Sequence, residues 1–265
     1  MKNKISSSKK LEQVQRKSLL RKSDVEYADY SLNPVEGCSH GCAFPCYAYL
    51  MAKRFGKVKD YGDWIKPKIV SNWLEILDKE IPRLKDKINS VFLSFTTDPF
   101  MFKQPEVCEL SLKIIERLNL AGIKSIVLTK GLLPRELINK KRYGSTNEYG
   151  ITLVSLDEKF REKYESGAAP LKERIKSLKY LHDKGLKTWI SMEPYPTPSM
   201  INQDIEDLLE KIKFVDKIIF GRIHYNAEAN RSAKINPDFY AYCIKKITAF
   251  CKKNRMKLIV KKGTI

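Results

Sequence analysis

The sequence predicts an α/β fold, a parallel sheet with helices outside it that curves into a partial (β/α)6 TIM-like barrel. Three observations carry this. Short apolar runs alternate with amphipathic helical segments in six βα units. No linker rich in Gly or Ser interrupts the 265-residue chain, which is long enough for one barrel-sized core. Distinctive polar residues recur just after the strand-like runs, as they do where parallel strand ends build one face of a site.

Residues 1–24 read as a basic, flexible N-terminal arm with no strong apolar face, and residues 25–265 as a single domain ending in a basic helix. The first strand is expected at 27–32 and a helix at 47–55, where Ala48, Leu50, Met51 and Ala52 favour it. Residues 56–71 read as loop. Asn72 is a candidate cap for a helix over 73–87, whose apolar side carries Leu74, Ile76, Leu77 and Ile81.

Alternation then sets in. Strands are expected at 91–95, 124–129, 150–155, 187–192 and 217–220, with a short last one at 258–260. Helices are expected at 106–120, 134–140, 169–184, 201–213 and 237–254, with Gly185 ending the third. Thr96, Thr97 and Asp98 follow the second strand and Lys130 the third, and Ser155 ends the fourth. Glu193 follows the fifth strand; Arg222, His224 and Asn226 follow the sixth.

Three of the six cysteines, Cys38, Cys42 and Cys46, fall within nine residues after the first strand. Soft thiolates on one loop suit zinc or an iron–sulfur cluster. Zinc normally takes a fourth ligand, for which His40 or a distant residue would have to serve. Three thiolates on a four-iron cluster leave one iron open to a small molecule, a catalytic arrangement. A disulfide-bonded loop needs an oxidising compartment, which nothing here suggests. Cys108, Cys243 and Cys251 read as small buried hydrophobes.

The N-terminus has no apolar signal segment, and no run of 18 apolar residues exists, so the expected compartment is a reducing cytoplasm, with no membrane partner. The net charge is +19. Eight Lys and Arg stand in residues 1–22 against Glu12 alone, and eight more in residues 245–262 with no acid. Such a field attracts polyanions: DNA, RNA or an acidic electron carrier.

The chain resembles the radical S-adenosylmethionine (SAM) superfamily, within it the spore photoproduct lyase and DNA repair photolyase-like group. The resemblance runs over about residues 27–225. It rests on Asn33-Pro34, Gly37-Cys38-Ser39-His40-Gly41-Cys42, Cys46-Tyr47-Ala48, Thr97-Asp98-Pro99-Phe100 with Glu106, Leu128-Thr129-Lys130, Ser155-Leu156-Asp157, and the helix of Arg174 before Lys184-Gly185. It implies a [4Fe–4S] cluster on Cys38, Cys42 and Cys46, with SAM on the fourth iron. It implies reductive cleavage of SAM to a 5′-deoxyadenosyl radical, hydrogen abstraction from a substrate, and a flavodoxin or ferredoxin as reductant. It places Lys130 at the SAM carboxylate, Ser155 at a polar SAM contact, and Thr96, Thr97 and Asp98 at the amino group or ribose. Tyr47 is expected near the adenine or substrate, and Glu193, Arg222 and His224 facing the substrate.

Two departures stand out. The second cysteine gap, Ala43-Phe44-Pro45, is one residue longer than usual for the superfamily, with Phe44 a candidate for the adenine side. Phe95 occupies the place of the lyase's hydrogen-donating cysteine. The expectation is therefore a radical SAM enzyme distinct from the lyase. The alternative is a zinc-stabilised nucleic-acid-binding module without catalysis.

Overall fold

Strands rich in Val, Ile and Leu that are covered on both faces suit a parallel sheet, and the computed structural model, which describes residues 10–265, contains one. Its strands are β1 (Glu12–Val14), β2 (Leu20–Lys22), β3 (Tyr30–Leu32), β4 (Val35–Glu36), β5 (Lys68–Val70) and β6 (Ser90–Leu93). They continue with β7 (Lys124–Thr129), β8 (Glu148–Thr152), β9 (Lys187–Tyr195), β10 (Lys217–Arg222) and β11 (Lys257–Val260). The helices are α1 (Tyr47–Arg54), α2 (Tyr61–Trp64), α3 (Trp73–Leu84), α4 (Pro105–Leu120) and α5 (Lys140–Tyr143). After them come α6 (Glu158–Tyr164), α7 (Leu171–Asp183), α8 (Ile205–Lys211), α9 (Ala227–Ile235) and α10 (Phe239–Asn254).

Eight strands form the main sheet in the order β11-β10-β9-β8-β7-β6-β3-β2. All neighbours pair parallel except the β2–β3 edge pair, which is antiparallel. Register brings Tyr30 opposite Val91, Ser90 opposite Lys124, and Glu148 opposite both Ile126 and Lys187. This is the expected α/β partial barrel.

The two faces of the strands bury two cores. Outside, Leu77, Ile114, Leu118, Leu178, Leu181, Leu208 and Ile247 pack the helices on the sheet. Inside, Phe92, Ile126, Trp189 and Ile219 form a smaller cluster with Ala28 and Tyr27. Tyr27 meets Phe92 edge-on at 5.5 Å and Trp189 at 5.7 Å, so the segment before β3 fills the barrel interior. Gly150 is required there, because a Cβ would lie 2.4 Å from the Trp189 ring.

The expected basic arm needs correction. Residues 1–9 lie outside the described residues, but within 10–24 the chain forms two short strands, β1 and β2. β1 pairs with β5 in a small sheet completed by β4, and β2 closes the edge of the main sheet. Leu19 and Leu20 are buried, and their N–H groups donate to the Glu80 carboxylate at 3.1 and 2.8 Å. Strands this short carry too few residues for alternation to show. The loop expected at 56–71 likewise contains α2 and β5, and α6 and α9 are additions to the expected helices.

Candidate active site

A cavity of about 510 Å³ opens at the C-terminal ends of the parallel strands. It is lined by residues that follow β6 (Ser94 to Asp98), β7 (Lys130), β10 (Ile223 to Tyr225) and β11 (Lys261), and by Thr152, Ser191, Glu193 and Arg222 in the ends of their own strands. The cysteine loop forms its opposite wall with Cys38, His40, Cys42, Phe44, Cys46 and Tyr47.

The cysteine loop is held by its backbone. The Cys38 N–H donates to Trp64 O at 2.9 Å, and the Ala43 N–H to Tyr164 O at 2.9 Å. The Tyr61 hydroxyl donates to Cys42 O at 3.0 Å. Phe44 is buried and stacks on Tyr164 at 5.3 Å beneath the loop, and it also lines the cavity.

His40 braces this loop from behind. Its Nε2 accepts from the Phe102 N–H at 2.9 Å, which leaves the proton on Nδ1, 3.4 Å from Asp98 Oδ2. Burial holds His40 below its usual range, so it is neutral. Both nitrogens are engaged, and His40 has none left to offer zinc.

Asp98 also proves to be a brace. Its Oδ1 accepts from Phe100 N–H at 2.9 Å and from the Thr129 hydroxyl at 2.6 Å. Its Oδ2 accepts from Lys130 N–H at 2.7 Å beside His40. Three protein donors thus hold the Asp98 carboxylate, which also lines the cavity where an amino group or ribose is expected.

Ser155 is corrected. It does not line the cavity, and its hydroxyl accepts from the Asp157 N–H at 3.0 Å in the turn leading into α6. β8 ends at Thr152, and Thr152 lines the cavity in its place. The other expected site residues meet there. Thr96 bonds Asn33 through its N–H and hydroxyl at 2.8 and 2.9 Å. Glu193 packs on Gly221, where a Cβ would come 2.9 Å from its carboxyl carbon, and lies 3.7 Å from Lys261 Nζ. Sequence reasoning missed Lys261, Tyr225, Glu165 and the bracing role of His40; only the basic run at 245–262 pointed towards one of them.

Lys130 is paired with Glu165, Nζ to Oε1 3.3 Å, and Glu165 is paired in turn with Arg174 at 2.7 Å. Burial opposes ionisation of Glu165, but Lys130 and Arg174 outweigh it and hold the carboxyl below its usual range.

All six cysteines are free thiols. Burial pushes Cys42 up to about 12 and Cys38 well above the usual thiol range, so metal binding must displace protons from both. Among the described residues, no three Cys, His, Asp or Glu side chains converge on a single metal ion. Three thiols that share a wall without converging suit a cluster, which offers each its own iron. Ser94 Oγ, Thr97 Oγ1 and Arg222 Nε are buried on the same cavity with no hydrogen-bond partner, as a bound polar molecule would require.

The Radical SAM superfamily matches residues 32–212 of the sequence. This chain belongs to the radical SAM superfamily. Its cofactors are a [4Fe–4S] cluster and SAM. Relatives of this radical SAM protein include "Uncharacterized protein ORF301" of Acidianus two-tailed virus, 29% identical over 69% of this chain and 61% of the viral one. The chain thus spans about three fifths of that relative's length. "Uncharacterized protein MJ0683" of Methanocaldococcus jannaschii is 22% identical over 76% of this chain and 72% of its own. The fold is similar to spore photoproduct lyase complexed with dinucleoside spore photoproduct, with TM-score 0.67, 13% identity, and coverage of 94% of this chain and 80% of the lyase. It is also similar to Streptococcus suis SuiB bound to precursor peptide SuiA, with TM-score 0.55, 14% identity, and coverage of 87% and 48%. At these identities the likeness is one of fold. No helix among the described residues is long and apolar enough to cross a membrane.

Proposed function

We propose that this chain is a radical SAM enzyme that abstracts hydrogen from a nucleic-acid substrate, with Cys38, Cys42 and Cys46 holding the cluster. One observation carries the reading. The three thiols, the Lys130 cation and the unpartnered polar atoms of Ser94, Thr97 and Arg222 share one cavity at the ends of the strands. When bound and reduced, the cluster supplies one electron that splits SAM into methionine and a 5′-deoxyadenosyl radical. Lys130 would meet the SAM carboxylate, and Ser94, Thr97, Thr152 and Ser191 its other polar groups.

The substrate side faces outward. Tyr47 and Tyr225, 50% and 64% exposed, stack on each other with ring centroids 6.3 Å apart at the mouth. His224 lies 6.1 Å from Tyr225, and Arg222 and Lys261 line the same mouth. Among the described residues, Arg222 has no carboxylate partner. Exposed aromatic faces beside cations suit stacked bases and their phosphates. The dimer-lyase reaction is not proposed. By its resemblance to the lyase group, Phe95 stands where the lyase carries its thiol; Phe95 lines the cavity and Cys108 does not. A small acidic flavodoxin or ferredoxin would serve as reductant for a chain of charge +19.

The test is anaerobic reconstitution with iron and sulfide, then dithionite and SAM, with 5′-deoxyadenosine followed by chromatography. Product that disappears in Cys42→Ala is expected. No product, with zinc bound in place of iron, would overturn the enzyme reading in favour of a zinc-stabilised binding module.

A further inference from the structure

Behind the cysteine loop lies a row of charges, of which only Lys130 has a role in the proposed chemistry. Arg174 on α7 is fully buried; its Nε donates to Ala169 O at 2.7 Å and its Nη1 to Thr152 O at 3.2 Å. The same Nη1 donates to Glu165 Oε2 at 2.7 Å. Glu165 is 2% exposed, and its other oxygen faces Lys130 Nζ at 3.3 Å. The backbone of Glu165 forms a β-bridge with Cys42. Two cations and one anion, a net single positive charge, are thus fixed beside one thiol. Asp98 also borders this region, on the Cys38 side, with donors on both oxygens; its carboxylate is a further anion that the variants below leave in place, as they do His40.

Stability alone does not explain the row. Apolar side chains of similar volume usually hold a core as well as a buried ion triad does. What the triad does supply is an unscreened charge at a fixed place in a low-dielectric region. Charge around an iron–sulfur centre is one of the main determinants of its potential. Reduction adds an electron, so a nearby cation favours the reduced form and a nearby anion opposes it.

We propose that Glu165 is a positioning residue that holds Lys130 beside Cys42, and that the Lys130–Glu165–Arg174 triad sets the reduction potential of the cluster. The proposal rests on the assignment of Cys42 as a cluster ligand. Glu165 moderates the two cations: it fixes Lys130 in place and cancels one of the two positive charges.

The experiment is a redox titration of the reconstituted full-length protein without SAM, followed by electron paramagnetic resonance. Glu165→Gln, close in shape, removes the anion, and its midpoint is expected to move to a more positive potential than the parent's. Lys130→Met removes a cation, and its midpoint is expected to move the opposite way. Iron and sulfide content, measured on both, shows that the cluster is whole. Midpoints that stay at the parent value, or that move in the same direction, would overturn the proposal. Should Glu165→Gln fail to fold, Lys130→Met decides alone, and an unchanged or more positive midpoint overturns it. Retention of the full cluster by Cys42→Ala would instead overturn the ligand assignment beneath it.

Discussion

Asn226 reaches across the cavity mouth and donates to the carbonyl of Phe44 at 2.7 Å, joining two loops 182 residues apart. The same side chain caps α9 by accepting from the Ala229 N–H at 2.9 Å. One residue thus ties the cysteine loop to the loop that carries His224 and Tyr225. The two tasks can be separated. Asn226→Asp keeps the cap and loses the donor; Asn226→Ala loses both. Thermal denaturation should show Ala costing about 0.5–2 kcal/mol for the lost cap alone, and Asp much less. Iron retained after gel filtration should fall in both, since both free the loop. Full retention in the Asp variant would show that the tie to Phe44 does not hold the cluster loop.

His40 tests the brace beneath the cluster. His40→Ala leaves the Phe102 N–H unpaired and removes the ring that lies 3.4 Å from Asp98 Oδ2. A buried group left unpaired costs about 1–3 kcal/mol, so urea unfolding should show a loss of at least that size. His40→Gln, which can still offer an acceptor to Phe102, should recover part of it. A variant with unchanged stability would show that the ring fills space rather than tying the loop to the segment between β6 and α4.

Much of this site was legible in the sequence, and the reasons are physical. Parallel strand ends collect on one face, so Cys38, Thr97, Lys130, Glu193 and Arg222 could be placed together from the order of the apolar runs alone. What a side chain does once there was less legible. Asp98 reads as a ligand contact alone because nothing local reveals that Thr129 and Lys130, far off in sequence, also donate to its oxygens. Ser155 was misplaced because Leu153 and Val154 extend an apolar run beyond the end of β8 at Thr152. Glu165 looks like any solvated glutamate until α7 brings Arg174 against it. The short strands of the N-terminal region leave no pattern; their burial comes from partners such as Glu80 and β5.

Glu193 predicts a pH-dependent stability. Burial raises its pKa, and Lys261 only partly offsets this. A carboxyl whose folded pKa lies above its unfolded value disfavours the folded state once it ionises, so the cost is absent at low pH and appears as pH rises through the raised value. Glu193→Gln should therefore melt higher than the parent at about pH 7, and the gap should close near pH 4, where glutamate is largely protonated in both states. A gap independent of pH would mean that the substitution acts through packing against Gly221 and not through charge.

The stacked tyrosines give the sharpest test of the substrate side. If Tyr225 offers its face to a base, Tyr225→Ala should weaken binding of a short single strand of DNA or RNA. Stacking on an aromatic side chain contributes about 1–3 kcal/mol per base, which corresponds to a loss of roughly 5- to 150-fold in affinity. Tyr225→Phe should bind almost as the parent does, because the hydroxyl has no part in stacking. Fluorescence anisotropy over a range of salt separates this from the phosphate contacts. Arg222→Gln should flatten the salt dependence, whereas Tyr225→Ala should lower affinity while leaving the slope alone. Equal binding by the parent and Tyr225→Ala at every salt concentration would remove the aromatic pair from recognition. The +19 charge would then act only as a general field.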